Sequence, residues 1–253
     1  MSDKEAYVKI NKRANGLAVI EFYHPQHNSL PADILAKLAQ TITTAGNDKE
    51  VKVIVLQSGG DRTFCAGASF NELIAIDNLE SGKEFFMGFA RVINACRKAP
   101  KIIIGRVQGK AVGGGVGLAS AVDYCLATKY AAVKLSELNI GIGPFVVGPA
   151  VVRKIGVSAM SQMTINADHF YDPLWAKEKG LYADYFDSIE ELDQAVENLA
   201  AYLLSKNPEA QTALKNTFWE GTEDWDQKLE ERAKMSGKMV LSSYTKGILA
   251  KYA

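Results

Sequence analysis

The sequence predicts an α/β fold with a helical C-terminal region, and three observations carry that prediction. Short β-branched runs alternate with helix-like stretches up to about residue 150, two glycine turns each join such a run to a helix, and beyond Pro173 the apolar spacing is helical. A chain of 253 residues with 47% hydrophobic content has the length for one large domain, or one domain plus an appendage. The expected division is a core over 1–190 and a helical region over 191–253.

In chain order, AYVKINKR and LAVIEFYH flank Ala14-Asn15-Gly16, where Asn-Gly supplies the positive φ of a tight hairpin. Pro31 then opens a helix over ADILAKLAQTI that ends near Gly46. KVIVLQ, KIIIGRV, AVDYCLAT and AAVKLSE read as strands, and SGKEFFMGFARVINACRK reads as a helix between the first two. Phe85, Phe86 and Phe89 in that helix read as a buried stripe. WAKEKGL, SIEELDQAVENLAAYLLSK, PEAQTALKNTFWEG and the run from Asp224 read as helices, packed on the core or on a neighbouring subunit.

Lys plus Arg and Asp plus Glu each total 29, so no net charge draws the chain to nucleic acid or to a membrane surface, and a small-molecule partner is expected. No uncharged apolar stretch reaches the length of a membrane span. Cys65, Cys96 and Cys125 have no metal-ligand spacing, and the opening MSDKEAYVKI lacks the apolar core of a signal peptide, so a reducing, cytoplasmic setting is expected. Cys65 reads as a small buried side chain, and His24, His27 and His169 as surface or packing residues, so no metal is expected.

The two turns carry the chemistry. In Phe64-Cys65-Ala66-Gly67-Ala68-Ser69, Ser69 and Glu72 form a capping-box pair that starts a helix at Ser69 and leaves the Ala68 N–H just ahead of it. In Gly113-Gly114-Gly115-Val116-Gly117, Gly114 is the N–H donor best placed at the helix start. Two such donors brought together stabilise an oxygen that becomes negative during reaction. The glycines do not fit a dinucleotide fingerprint, because the spacing is wrong and Asp123 lies too close for a ribose ligand.

Taken together, Asn28-Ser29-Leu30, FCAGAS, KIIIGRVQGKAVGGGVGLASAVD, LSELNIGIGP, and AKEKGL before SIEEL resemble the crotonase (enoyl-CoA hydratase/isomerase) superfamily along nearly the whole chain. The resemblance implies a superhelix of ββα units with a C-terminal trimerisation region, assembled as a trimer or a dimer of trimers. It implies an acyl-CoA thioester substrate, with coenzyme A arriving as part of the substrate and no separate cofactor. Ala68 and Gly114 then supply the oxyanion-hole N–H groups, while Asn28, Ala66, Gly67, Gly113 and Gly117 are expected to bind substrate.

Family hydratases commonly carry two glutamates; the first position is Gly117 here and the second, Glu137, is retained. An apolar pocket raises a carboxyl pKa toward neutrality, which makes Glu137 a usable proton carrier. One carboxyl suffices for a Δ3,Δ2-enoyl-CoA isomerase and also serves a syn hydration, and a non-catalytic acyl-CoA-binding homologue is the reading from another class. The run GGxxGL, LSE, IGxGPxxVGPAVVRKIG looks closest to bacterial methylglutaconyl-CoA hydratase-like members and favours hydration. The loop His24-Pro25-Gln26-His27-Asn28 is one residue shorter than the family's and lacks the basic residues that meet CoA phosphates there, with His27 as a weak substitute. Tyr171 and His169 are the residue types a decarboxylase would use, with no spacing that brings them to the site.

Overall fold

The computed structural model describes residues 5–251. It opens on the expected hairpin, β1 (Tyr7–Lys12) and β2 (Leu17–Tyr23), paired antiparallel from Tyr7↔Tyr23 to Lys12↔Ala18. The connection is a four-residue loop, in which Gly16 alone takes positive φ (+96°) and Asn15 Oδ1 accepts from the Leu17 N–H. Next come β3 (Ser29–Leu30), α1 (Ala32–Asn47), β4 (Val53–Ser58), β5 (Thr63–Cys65), β6 (Gly67–Ala68), α2 (Phe70–Ile74) and α3 (Leu79–Lys98). The middle of the chain gives β7 (Ile102–Val107), β8 (Lys110–Val112), α4 (Gly114–Ala121), β9 (Tyr124–Thr128), β10 (Val133–Lys134) and a 3₁₀ turn at Glu137–Ile140. It closes with α5 (Gly148–Ile165), α6 (Pro173–Glu178), β11 (Asp184–Phe186), α7 (Ile189–Leu204), α8 (Pro208–Phe218), α9 (Trp225–Val240) and α10 (Ser243–Leu249).

The main sheet runs β1-β2-β4-β7-β9-β11 and is parallel beyond the hairpin. Side chains alternate across a strand, so β4 sends Ile54 and Leu56 into the large core with Leu38 and Ile42 of α1. Val53 and Val55 point the other way, onto Leu192, Val196 and Ala200 of α7. Both faces are therefore covered, which is why these strands read as continuous apolar runs. The expected boundary between 190 and 191 falls inside α7, whose apolar face is part of that second core.

The local logic that builds the site is repetition. β4, β7 and β9 each join the main sheet, and their followers β5, β8 and β10 form a small parallel sheet in the order β10-β8-β5. Each small strand is followed by a turn, so the turns after β5, β8 and β10 come out at one edge. In open parallel sheets ligands sit at the carboxyl ends of the strands, and this edge is such an end.

The C-terminal helices pack on their own core. Gly82 of α3 and Gly237 of α9 let the two backbones touch, since a Cβ on Gly237 would lie 2.7 Å from the Gly82 carbonyl carbon. Arg97 donates to the Thr222 carbonyl at 2.9 Å and Lys98 to Asp226 at 2.6 Å along the same seam. The single long helix expected from Asp224 is broken at Leu241–Ser242, where the Ser242 hydroxyl caps α10 by accepting from the Thr245 N–H.

Candidate active site

The first turn is set by pairing with β3. Ser29 lies opposite Gly67 and Leu30 opposite Ala68; the Ser29 hydroxyl donates to the Ala68 carbonyl at 2.8 Å and the Ser69 N–H to the Leu30 carbonyl at 3.0 Å. Successive N–H groups of a strand point to opposite sides, so the Ala68 N–H faces away from β3. Ser69 caps α2 as expected, its Oγ accepting from the Glu72 N–H at 3.4 Å. The Glu72 carboxylate does not return to Ser69 but caps the preceding helix, accepting from the Ala32 N–H of α1 at 3.0 Å.

Gly114 is the first residue of α4, so its N–H has no acceptor within the helix. Space decides the glycines around it. A Cβ on Gly114 would lie 2.3 Å from the Phe89 ring, and one on Gly115 2.3 Å from the Cys65 carbonyl oxygen. Gly67 brings the turns together: with φ at +94°, its Cβ position lies 3.6 Å from the Gly114 nitrogen. Gly113, at φ +53°, donates to the Lys134 carbonyl at 2.9 Å, which ties the second turn to the third.

The third turn presents Glu137. Its Oε1 would lie 3.0 Å from any Cβ at position 113, a tight contact at a residue whose φ of +53° already favours glycine. Oε2 is buried without a hydrogen-bond partner. Burial pushes the Glu137 pKa up to about 7, with only the backbone amides of Glu137 and Ser136 opposing the shift. A carboxyl so placed titrates where a general acid–base works best.

These three turns meet in a cavity of about 250 Å³ that Ala66, Gly67, Ala68, Gly113, Gly114 and Glu137 all line. Two expected binding residues lie elsewhere. Asn28 is buried below the site, where its amide donates to the Gly59 and Thr63 carbonyls, each at 2.9 Å, and accepts from the His24 N–H. It therefore fixes the loop from β2 to β3, itself at φ +55°, and offers the cavity no side-chain group. Gly117 is inside α4 and faces Val147: a Cβ there would lie 2.4 Å from Val147 Cγ1, so the glycine is required by packing.

The phenylalanine stripe has a larger part than the sequence pattern implies. Phe85, Phe86 and Phe89 line the cavity, with Phe145, Val146 and Val147 from the loop that leads into α5. Ser236 of α9 also lines it, a residue distant in sequence that no motif pointed to. The phenylalanine spacing was the one available signal, since a helical stripe beside a glycine turn serves a core and an apolar pocket equally. Cys65 is inert as expected: its thiol is fully buried and burial pushes its pKa up to about 12. His169 and Tyr171 pack edge to face on each other, their ring centres 4.6 Å apart, and do not line the cavity.

An open parallel sheet, a second small sheet whose turns converge, and a buried carboxyl beside two glycine turns define a protein of crotonase architecture. An enoyl-CoA hydratase from Bacillus halodurans superposes with a TM-score of 0.89 at 21% identity over 97% of this chain and 99% of that one. A putative enoyl-CoA hydratase from Mycobacterium avium paratuberculosis gives 0.86 at 25% identity over 98% and 96%. The family described as Enoyl-CoA hydratase/isomerase matches residues 12–251, and the chain belongs to it.

Among curated relatives, the mitochondrial methylglutaconyl-CoA hydratase of Homo sapiens is 30% identical over 78% of this chain and 58% of its own length. The ethylmalonyl-CoA decarboxylase of Gallus gallus is 28% identical over 73% of this chain and 62% of its own. The chain thus spans less than two thirds of both. A peroxisomal Δ(3,5)-Δ(2,4)-dienoyl-CoA isomerase of Arabidopsis thaliana is 27% identical over 86% of this chain and 83% of its own. Members of the family act on acyl-CoA thioesters, as hydratases or isomerases.

Proposed function

We propose that the protein hydrates a 2-enoyl-CoA thioester, with the Ala68 and Gly114 N–H groups as the oxyanion hole and Glu137 as the single acid–base group. The observation that carries this reading is the buried Glu137 carboxyl, with Oε2 unpartnered and its pKa raised to about 7, in the cavity that Ala68 and Gly114 also line. The thioester oxygen accepts from the two N–H groups, which lowers the energy of the enolate. Glu137 takes a proton from water as the water oxygen bonds to C3, and the C2=C3 electron pair moves onto the thioester oxygen. The protonated Glu137 then returns a proton to C2 and the carbonyl reforms.

A second reading, Δ3,Δ2-enoyl-CoA isomerase, is favoured by one feature. Glu137 is the one ionisable side chain among the described residues that line the cavity, and Val147 fills the space beside Gly117. A single carboxyl that removes a proton from C2 and delivers one to C4 is enough for that reaction. In either case no resident cofactor takes part and coenzyme A comes with the substrate. A cytoplasmic protein working as a trimer or a dimer of trimers completes the proposal.

Assays with crotonyl-CoA and 3-hexenoyl-CoA test it. Hydration of crotonyl-CoA faster than isomerisation of 3-hexenoyl-CoA supports the first reading, and the reverse order replaces it with the second. No turnover of either, with acyl-CoA still bound, leaves a binding protein.

A further inference from the structure

The inference concerns the acyl group and rests on the reading of this cavity as an acyl-CoA site. The methylglutaconyl and ethylmalonyl groups in the names of two relatives each carry a free carboxylate. A buried carboxylate needs a cation or several donors to replace the water it loses. Among the described residues that line this cavity there is no lysine, arginine or histidine. Its walls are mostly aromatic and aliphatic, with Phe85, Phe86, Phe89 and Phe145 prominent, and its polar side chains besides Glu137 are the neutral Ser136, Asn139 and Ser236.

Three cations of neighbouring elements are placed elsewhere. Lys246 of α10 donates to the Ile76 carbonyl, Lys83 pairs with Glu80 at 2.9 Å, and Lys134 lies 5.1 Å from the centre of the Phe170 ring. The charge-bearing group already in the cavity is Glu137, which repels a second anion.

Ser236 is a polar exception among these walls, and one hydroxyl falls short of the several donors that a buried carboxylate needs. It is 1% exposed, lines the cavity, and its Oγ has no hydrogen-bond partner. A serine inside a helix commonly donates back to the carbonyl one turn earlier, as Ser120 does to Val116 at 2.8 Å. Ser236 does not, so its hydroxyl is left for whatever occupies the cavity, and a hydroxyl serves a neutral oxygen or a water without bringing charge.

We propose that the acyl pocket takes an uncharged, apolar acyl chain and rejects one that ends in a carboxylate, which separates this protein from the substrates named for those two relatives. The discrimination arises in binding, so it is measured without chemistry.

Dissociation constants of pentanoyl-CoA and glutaryl-CoA, saturated thioesters with the same number of acyl carbons, are compared by titration calorimetry at pH 8. Pentanoyl-CoA is expected to bind at least about 100-fold more tightly, the scale of an unpaired buried charge. Replacing Glu137 with glutamine should narrow that ratio by removing the like charge, yet leave most of it, because the apolar walls remain. Binding of the two within about threefold of each other overturns the proposal, as does failure to bind pentanoyl-CoA. Because both ligands lack the reactive double bond, this result is independent of whether the protein proves to be a hydratase or an isomerase.

Discussion

Asp123 and Glu137 are both buried carboxyl groups, and they differ in what is aimed at them. The Asp123 side chain, 3% exposed, accepts from the Lys215 ammonium and the Ile103 N–H at 2.8 Å and from the Trp219 indole at 2.9 Å. Lys215 in turn donates to the Lys101 carbonyl at 2.9 Å. Those bonds lock α8 to the main sheet. Glu137 has an oxygen with no partner and an apolar cavity in front of it. A buried carboxyl surrounded by donors holds structure together, whereas one left short of donors stores a proton affinity that chemistry can use.

The contrast predicts opposite phenotypes. Glu137→Gln should lower kcat by about 10²–10⁴-fold while acyl-CoA affinity stays within a few-fold, measured by steady-state kinetics and calorimetry. Retained turnover would remove Glu137 from the chemistry. Asp123→Ala should leave the Lys215 ammonium buried and unpaired, destabilising the fold by about 3–5 kcal/mol in urea denaturation. A stability change below about 1 kcal/mol would show that the ion pair is not holding α8.

The pH dependence sharpens the same comparison. In the proposed hydration ionised Glu137 accepts the proton of water, so kcat/KM should rise with pH through about 7. The stability effect has the opposite sense. The folded-state pKa lies above the unfolded value of 4.5, so the native protein binds more protons between the two and this group's contribution falls as pH rises from 4.5 through about 7. Glu137→Gln should flatten that slope and gain about 1–3 kcal/mol at pH 8 relative to wild type. A pH–rate profile flat between 5 and 9 would contradict the assignment.

The smallest expected effect concerns position 117. Introducing a second carboxyl as Gly117→Glu meets Val147, so it should cost about 1–3 kcal/mol of stability without raising hydration. Pairing it with Val147→Ala makes room and should recover part of that loss. A gain in hydration from the single substitution would mean that Val147 yields easily.

Much of this arrangement was legible in the residues. Alternation exposed the hairpin, β-branched runs exposed β4, β7, β9 and β10, and the Ser69 cap and glycine triplet marked two turns that line the cavity. What stayed hidden has a common physical cause, which is contact between segments far apart in sequence. β3, β5, β6 and β8 have two or three residues each, too few to show a period, and exist because neighbours pair with them. The function of Asn28 is set by carbonyls of Gly59 and Thr63, and that of Gly117 by Val147. Helix α5 carries a break at Gly156, φ +74°, which blurred its periodicity. Ser236 reaches the cavity only because Gly82 and Gly237 let α9 lie against α3.

The central claim is that two peptide N–H groups and one carboxyl meet on a single thioester. A crystal structure with a non-reactive acyl-CoA tests it most directly. The thioester oxygen should lie about 2.7–3.1 Å from both the Ala68 and Gly114 nitrogens, with the Glu137 carboxyl facing C2 and C3. An oxygen held by neither amide, or an acyl chain lying outside the cavity away from Glu137, would contradict it.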